Sequence, residues 1–264
     1  MDRLTIVVFA LVYAGMIFGK YPGLAMDRTG MALLGAIVLI VARRVEEREA
    51  WDAIDVPTIV LLLGLMVVSS QLRLGGFYTY VTRRIAAAEV SPRALLALVI
   101  GSMAALSAVL TNDVICLAVT PVLIEGCARR KLNPVPYLLA LVCAANIGSA
   151  ATLIGNPQNM LIGQALDLSF AGYLLDAFVP SVLGLAVVWI VIVAHTRDRW
   201  HMETPLPEYD APMFNPWQTG KGLVAIFALV FIFLFMPWPR DIVALAAAGL
   251  LLLSRKMESR AIMG

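Results

Sequence analysis

Apolar runs separated by short charged segments follow one another along most of the chain. Six of them occupy residues 4–19, 29–42, 57–71, 172–195, 221–237 and 240–254. Runs of this composition are typical of helices that cross a hydrocarbon core about 30 Å thick. They predict membrane helices, the shorter of which extend beyond the limits that hydropathy alone gives.

A different pattern occupies residues 76–88. Aromatic and aliphatic residues recur there at helical spacing on one side, and Arg83 and Arg84 lie on the other. A helix with one apolar and one basic side is suited to the plane between water and hydrocarbon. This segment predicts an interfacial helix.

A polar triplet divides the next apolar run, over residues 92–127. Thr111, Asn112 and Asp113 separate a first half from a second half that ends near residue 126 and spans only about 20 Å as a helix. A polar break in hydrocarbon has to be buried in protein or line a watery cavity. We therefore predict a re-entrant helical hairpin over residues 92–127. The alternative is a surface loop that joins two full spans.

The tip of such a hairpin offers chemistry to ions. Free carbonyls at the end of the first half-helix attract a cation, and free N–H groups at the start of the second attract an anion. Thr111, Asn112 and Asp113 add a hydroxyl and side-chain oxygens, and an acidic group deep in a membrane segment is a functional candidate. These three residues are predicted ligands.

A second polar break interrupts the apolar run over residues 135–166. Gly155 allows the helix to unwind, Asn156 can cap a new half-helix, and Pro157 suits its first position. We predict one discontinuous helix, against the alternative of a structural proline kink. Small and polar residues precede and follow the break. The predicted site residues of this segment are Asn146, Gly148, Ser149, Thr152, Gly155, Asn156, Pro157 and Asn159.

Composition agrees with a membrane protein. Hydrophobic residues make up 61% of the chain and charged residues 14%, and the mean hydropathy is +0.86, which exceeds what a soluble core requires. The nearly balanced net charge of +2 indicates no nucleic acid partner. No catalytic triad, phosphate-binding glycine loop or HExxH motif occurs, so we predict neither an enzyme nor a bound cofactor. His195, Trp200 and His201 are interpreted as interfacial anchors.

The distribution of basic residues predicts the orientation. With the N-terminus outside and the C-terminus in the cytoplasm, most lysines and arginines lie inside, provided that the hairpin returns to the side it entered from. The basic segments 43–48 and 255–260 each follow an apolar helix and then lie on opposite sides, as in an inverted repeat. The alternative is that basic residues flank many membrane helices. The predicted domains are a first repeat (1–195), a cytoplasmic linker (196–220) and the start of a second repeat (221–264).

The two motifs together resemble those of the ion-transporter superfamily of arsenite permeases, sodium/proton antiporters, citrate transporters and sodium-coupled dicarboxylate symporters. The likeness covers the hairpin tip with Thr120 and Pro121 downstream, and the segment from Asn146 to Asn159. It is closest to bacterial citrate-transporter-like anion permeases. The symporters usually have Ser-Asn-Thr at the tip, where this chain has Thr-Asn-Asp.

The resemblance implies an all-α polytopic membrane protein with about seven transmembrane helices, the re-entrant hairpin and the discontinuous helix, as the first half of an inverted-repeat transporter. It implies that Thr111, Asn112 and Gly155 would hold a sodium ion and that the wider set of site residues would contact an anion. The expected location is the inner membrane of a bacterium or archaeon. The expected partners are the bilayer, a small anion, and a second half-transporter chain or another copy.

The predicted function is secondary transport of a carboxylate or inorganic oxyanion, coupled to sodium or protons. Arsenite efflux and sodium/proton antiport by the same fold are alternatives within this class. A noncatalytic half-transporter subunit or a truncated fragment is the alternative outside it, because no second hairpin tip occurs between residues 172 and 264. A chain with one such tip is expected not to complete a transport cycle alone.

Overall fold

A computed structural model describes residues 3–19, 27–197, 199–202 and 212–253 of the chain. Twelve α-helices account for most of these residues, and the described part contains no strand beyond an isolated bridge between Leu132 and His201. The chain divides into two compact units, Met1–Asp55 and Val56–Gly264. The second basic segment, 255–260, and residues 203–211 of the predicted linker lie outside the described residues.

The first unit contains the helices α1 (Arg3–Phe18), α2 (Arg28–Val41) and α3 (Glu47–Asp52). Asp27 caps α2, since its side chain accepts a 2.7 Å hydrogen bond from the Gly30 N–H. The helices α1 and α2 contact each other closely at Gly35, where a Cβ would lie 2.4 Å from the Val12 side chain. The short helix α3 has a capping box formed by Glu46 and Glu49; the sequence analysis did not predict it.

The second unit contains nine helices among its described residues. They are α4 (Val56–Leu74), α5 (Phe77–Ala86), α6 (Pro92–Val109), α7 (Asn112–Arg129), α8 (Pro134–Ala150), α9 (Pro157–Ala165), α10 (Phe170–Thr196), α11 (Pro216–Phe235) and α12 (Arg240–Leu252). Proline stands in the first turn of α6, α8, α9 and α11, where its missing N–H costs no hydrogen bond. These prolines mark the starts of the four helices in the structure.

Several helices are long and apolar enough to cross a bilayer. The four such stretches in the described part of the chain are Glu47–Leu74, Pro92–Val109, Phe170–Thr196 and Pro216–Phe235. Shorter apolar helices are Arg3–Phe18, Arg28–Val41 and Pro134–Ala150. The chain is therefore an all-helical polytopic membrane protein, as predicted, while the number of crossings stays a prediction.

In the second unit, α8 and α4 each pack against several other helices. The helix α8 contacts α6, α7 and α10, and α4 contacts α9, α11 and α12. Small residues allow these approaches: a Cβ on Gly64 of α4 would lie 2.7 Å from the Ala244 backbone of α12. A buried amide pair also joins α4 to α11, since Gln71 Nε2 donates to Gln218 Oε1 over 2.6 Å. Both packing and polar contacts thus hold the start of the predicted second repeat against α4.

Three sequence-based expectations are corrected here. The helix α7 has 18 residues and is about 27 Å long, which exceeds the expected 20 Å, but it is not among the described helices that are apolar enough to cross a bilayer, so the re-entrant hairpin stays a prediction. The helix predicted from residue 221 begins at Pro216, because Asn215 accepts hydrogen bonds from the Trp217 and Gln218 N–H groups. Trp200 is no interfacial anchor, since it is buried and its ring lies 6.2 Å from that of Tyr137.

Candidate functional site

The predicted hairpin tip is a two-residue connection between helices. The helix α6 ends at Val109, Leu110 and Thr111 are extended, and α7 begins at Asn112. Thr111 occupies the cap position of α7 but makes no side-chain capping bond. The first turn of α7 therefore relies on groups from elsewhere in the fold for its N–H partners.

The predicted discontinuous helix is broken, and its break is wider than the sequence indicated. The helix α8 ends at Ala150, six residues follow without regular helix, and α9 begins at Pro157. Asn156 caps α9 as predicted, because its Oδ1 accepts a 2.8 Å hydrogen bond from the Asn159 N–H. Pro157 occupies the first helical position, which is also as predicted.

The hairpin tip between α6 and α7 contacts the break between α8 and α9. The Asn112 N–H donates to the Gly155 carbonyl over 3.4 Å, and the Asn112 side-chain amide donates to Asn146 Oδ1 over 3.3 Å. The Thr152 hydroxyl donates to the Ala108 carbonyl in the last turn of α6. Two motifs that are separate in the sequence therefore form one cluster, which we call the polar junction: Thr111, Asn112, Asn146, Ser149, Thr152, Gly155, Asn156 and Asn159.

Hydrogen bonds within the polar junction use carbonyls in the last turns of α8 and in the break that follows it. Ser149 Oγ donates to the Asn146 carbonyl over 2.8 Å and accepts from Asn156 Nδ2 over 3.1 Å. Asn159 Nδ2 donates to the carbonyls of Ser149 and Thr152 over 3.3 and 2.9 Å. These amides hold the break in one conformation without a regular helix.

Close backbone approach explains why Gly148 and Gly155 have no side chain. A Cβ on Gly155 would lie 2.3 Å from the Ser149 carbonyl oxygen, and one on Gly148 would lie 2.4 Å from the Ala104 carbonyl oxygen. The glycines with positive φ in the described chain are Gly19 and Gly76, so Gly155 is not needed for a left-handed backbone. Gly155 lies in the non-helical segment between α8 and α9, as the predicted unwinding requires, and its lack of a Cβ allows the close approach there.

Burial divides the predicted ligands. Thr111, Ser149 and Thr152 are buried, with Thr111 6% exposed and Ser149 1% exposed. Asn112, Asn156 and Asn159 are half-buried, whereas Asp113 and Asn146 are exposed. Asp113 lies in the first turn of α7, where a carboxylate interacts favourably with the helix dipole. Its side chain lies outside the hydrogen-bonded junction.

The sequence analysis missed two residues that support the junction. Ser107 of α6 donates to the Ala145 carbonyl over 2.6 Å, and the Tyr173 hydroxyl of α10 donates to the Ala150 carbonyl over 3.1 Å. Each is one of a few polar residues in a largely apolar run, which gave no signal specific to its role. Both bind carbonyls near the end of α8 and fix its last turns.

The helix ends at the polar junction can attract both anions and cations. The helices α7 and α9 both begin here, and helix starts carry partial positive charge that attracts anions. The helices α6 and α8 both end here, and their terminal carbonyls attract cations. The buried Thr111 Oγ1 has no hydrogen-bond partner. Within the described residues no group of three or more His, Cys, Asp or Glu suited to a metal ion occurs.

Comparison with known proteins identifies the family. The sequence matches the CitMHS family of citrate transporters over residues 13–264. The silicon efflux transporter LSI3 of Oryza sativa subsp. japonica is 35% identical over 187 residues, which cover 71% of this chain and 39% of the rice protein. The inner membrane protein YbiR of Escherichia coli K12 is 30% identical over 218 residues, which cover 79% of this chain and 56% of the bacterial protein.

A third relative is the putative transporter arsB of Dictyostelium discoideum, which is 29% identical over 174 residues, or 66% of this chain and 31% of that protein. The chain thus spans about a third to somewhat over half of the length of these relatives. The family match nevertheless extends over nearly the whole chain. On that basis, this protein belongs to the citrate transporter family.

Proposed function

We propose that the chain takes part in secondary active transport of a small anion, a carboxylate or an inorganic oxyanion, coupled to sodium or protons. Family membership supports transport in general. The name of the family favours a carboxylate, and the name of the rice relative, a silicon efflux transporter, favours an inorganic species. Arsenite efflux and sodium/proton antiport are alternatives on the same fold.

One observation carries this proposal: the starts of α7 and α9 meet at the hydrogen bond between the Asn112 N–H and the Gly155 carbonyl. Paired helix breaks are typical of transporter sites, since they direct helix starts at an anion and unwound carbonyls at a cation. The exposed Asn146 and half-buried Asn112 amides would then contact the anion. We therefore propose that the anion binds at the open side of the polar junction.

The same geometry suggests a place for sodium. Thr111, Asn112 and Gly155 are adjacent at the junction, and the Thr111 hydroxyl oxygen is buried without a partner. Hydroxyl and carbonyl oxygens at unwound helix ends are the ligands that transporters use for sodium. We propose these three residues as its ligands, with protons as the alternative coupling ion.

The orientation and the partners are part of the proposal. We place the N-terminus outside, the C-terminus in the cytoplasm and the hairpin 92–127 within the membrane from one side. The pocket would be completed by a second half-transporter or by another copy of the chain. The exposed Asn146, in the interior of an apolar helix, supports a polar partner or cavity at that face.

Anion binding provides the direct test. Thermal unfolding of the purified chain is measured with citrate, succinate, sulfate, arsenite and silicic acid, each with sodium and with choline. We expect one of these species to raise the unfolding temperature, and Asn112→Ala to remove that increase. Dependence on sodium would support sodium coupling, and dependence on pH alone would support protons.

Asn133→Ser is the matched control, because it removes an amide at the far end of α8 while serine can still cap that helix. It should retain the increase. Uptake is then measured in liposomes that contain the chain with a second half from the same family. The proposal fails if no anion stabilises the chain and Asn112→Ala transports at the unmodified rate.

A further inference from the structure

A groove with a basic rim lies between α5 and α7, away from the polar junction. It has a volume of about 470 Å³, and the residues that define it here are Arg83, Ala87, Glu125, Gly126, Arg129 and Arg130. We call it the basic groove. It lies where α5, the predicted interfacial helix, contacts α7.

One carboxylate holds two arginines at the rim. Glu125 forms ion pairs with Arg83 over 3.1 Å and with Arg129 over 3.0 Å. The side chains of Arg83 and Arg129 stay 53% and 67% exposed, whereas that of Glu125 is 13% exposed. Glu125 thus fixes the guanidinium groups from below and leaves their outer N–H donors open to a ligand.

A third arginine adds charge to the same groove. Arg130 donates to the carbonyls of Ala86, Ala88 and Val90 over 3.2, 2.7 and 2.7 Å, where the chain leaves α5. These acceptors are neutral carbonyls, so none of these three contacts compensates the positive charge of Arg130. Three arginines therefore face a single glutamate, and the groove has an excess of positive charge.

The floor of the groove is apolar and formed by small side chains. A Cβ on Gly126 would lie 2.5 Å from the Ala86 Cβ, so glycine lets α5 and α7 come into contact beneath the arginines. Val122 and Ala87 extend this surface. A basic rim above an apolar floor fits a molecule with an anionic head and a hydrocarbon tail.

We propose that the basic groove binds the phosphate headgroup of an anionic phospholipid. The helix α5 has the amphipathic pattern of an interfacial helix, which would bring the groove to headgroup level. Basic pockets between membrane helices bind anionic lipid headgroups, and arginine pairs bind phosphate through parallel N–H donors. None of the residues that line the basic groove belongs to the polar junction.

The test measures lipid retention by the purified full chain. Native mass spectrometry is performed with phosphatidylglycerol or cardiolipin, with zwitterionic phosphatidylcholine, and with inorganic phosphate. We expect the anionic lipids to be retained preferentially. A basic residue near the membrane surface contributes roughly fivefold in affinity, so Arg83→Gln with Arg129→Gln should weaken retention by about 25-fold. Arg93→Gln removes an exposed arginine that does not line the groove and should leave retention unchanged.

Glu125→Gln separates lipid binding from a purely structural role of the ion pairs. It breaks the same pairs as the double arginine variant but leaves both arginines, so anionic lipid should be retained at least as well as by the unmodified chain. Equal retention of anionic and zwitterionic lipid would overturn the proposal. So would equal loss in Glu125→Gln and the double variant, or competition by inorganic phosphate with no preference for lipid.

Discussion

The backbone N–H of Asn112 donates to the carbonyl of Gly155 over 3.4 Å. This bond joins the first residue of α7 to the residue that precedes the cap of α9. Together with the bond from Asn112 Nδ2 to Asn146 Oδ1, it links the hairpin tip to the segment around the helix break. A ligand that binds at one of these elements is expected to affect the other.

Asn156→Ala should lower the free energy of unfolding by about 1 kcal/mol, because it removes the cap of α9. Asn156→Ser is the control, since serine also caps helices but lacks the side-chain amide that donates to Ser149 Oγ. Thermal unfolding in detergent measures both. If the serine variant is destabilised as much as the alanine variant, the cap is not the stabilising contact.

Gly148→Ala should be destabilised by roughly 1–3 kcal/mol, as is usual for an overpacked interface. Its Cβ would lie 2.4 Å from the Ala104 backbone and push α6 away from α8. Gly101→Ala on α6 is matched, because nothing lies within 4 Å of its Cβ position. Unfolding temperatures that fall equally in both variants would show that helix contact is not the cause.

Gln71→Leu should cost about 1–3 kcal/mol, because it leaves the buried Gln218 Oε1 without its donor. Adding Gln218→Leu removes the unsatisfied group, so the double variant should be more stable than the sum of the two single changes predicts. A double-mutant cycle of unfolding free energies measures this. Simple additivity would mean that the amide pair does not couple α4 to α11.

Asn112→Cys tests the depth of the hairpin tip. In a chain whose natural cysteines are replaced by serine, we expect slow reaction with a membrane-impermeant thiol reagent, and slower reaction with anion bound. Glu89→Cys, in an exposed connection, should react quickly from one side. Complete labelling of Asn112→Cys from the outside in every condition would indicate a surface loop between two spans.

Much of the helix pattern was predictable because it depends on neighbouring residues. Asn156 and Pro157 define the start of α9 within a few positions, and the structure confirms both roles. Two errors concern local signals that the sequence contains but that were not used in the prediction. The sequence analysis passed over the capping box of α3 and placed the start of α11 after Pro216 rather than at it.

Contacts between segments that are far apart in the sequence could not be predicted from it. Tryptophan is a residue type typical of interfacial anchors, but packing against Tyr137 buries Trp200. Asp113 is a predicted ligand because it is an acidic residue within a membrane segment, but its exposure in the first turn of α7 depends on how that helix packs. Such outcomes depend on which helix faces meet.

By itself, the sequence determined that the chain is helical and suited to a membrane, and which polar residues interrupt its helices. Helix caps, prolines and apolar runs act on residues close to them in the chain, so their effects can be predicted from the sequence. Only the tertiary structure brought the hairpin tip to the helix break and Glu125 between Arg83 and Arg129. Those relationships arise because small residues such as Gly148 and Gly126 let particular helices approach, and that choice is made by packing over the whole unit.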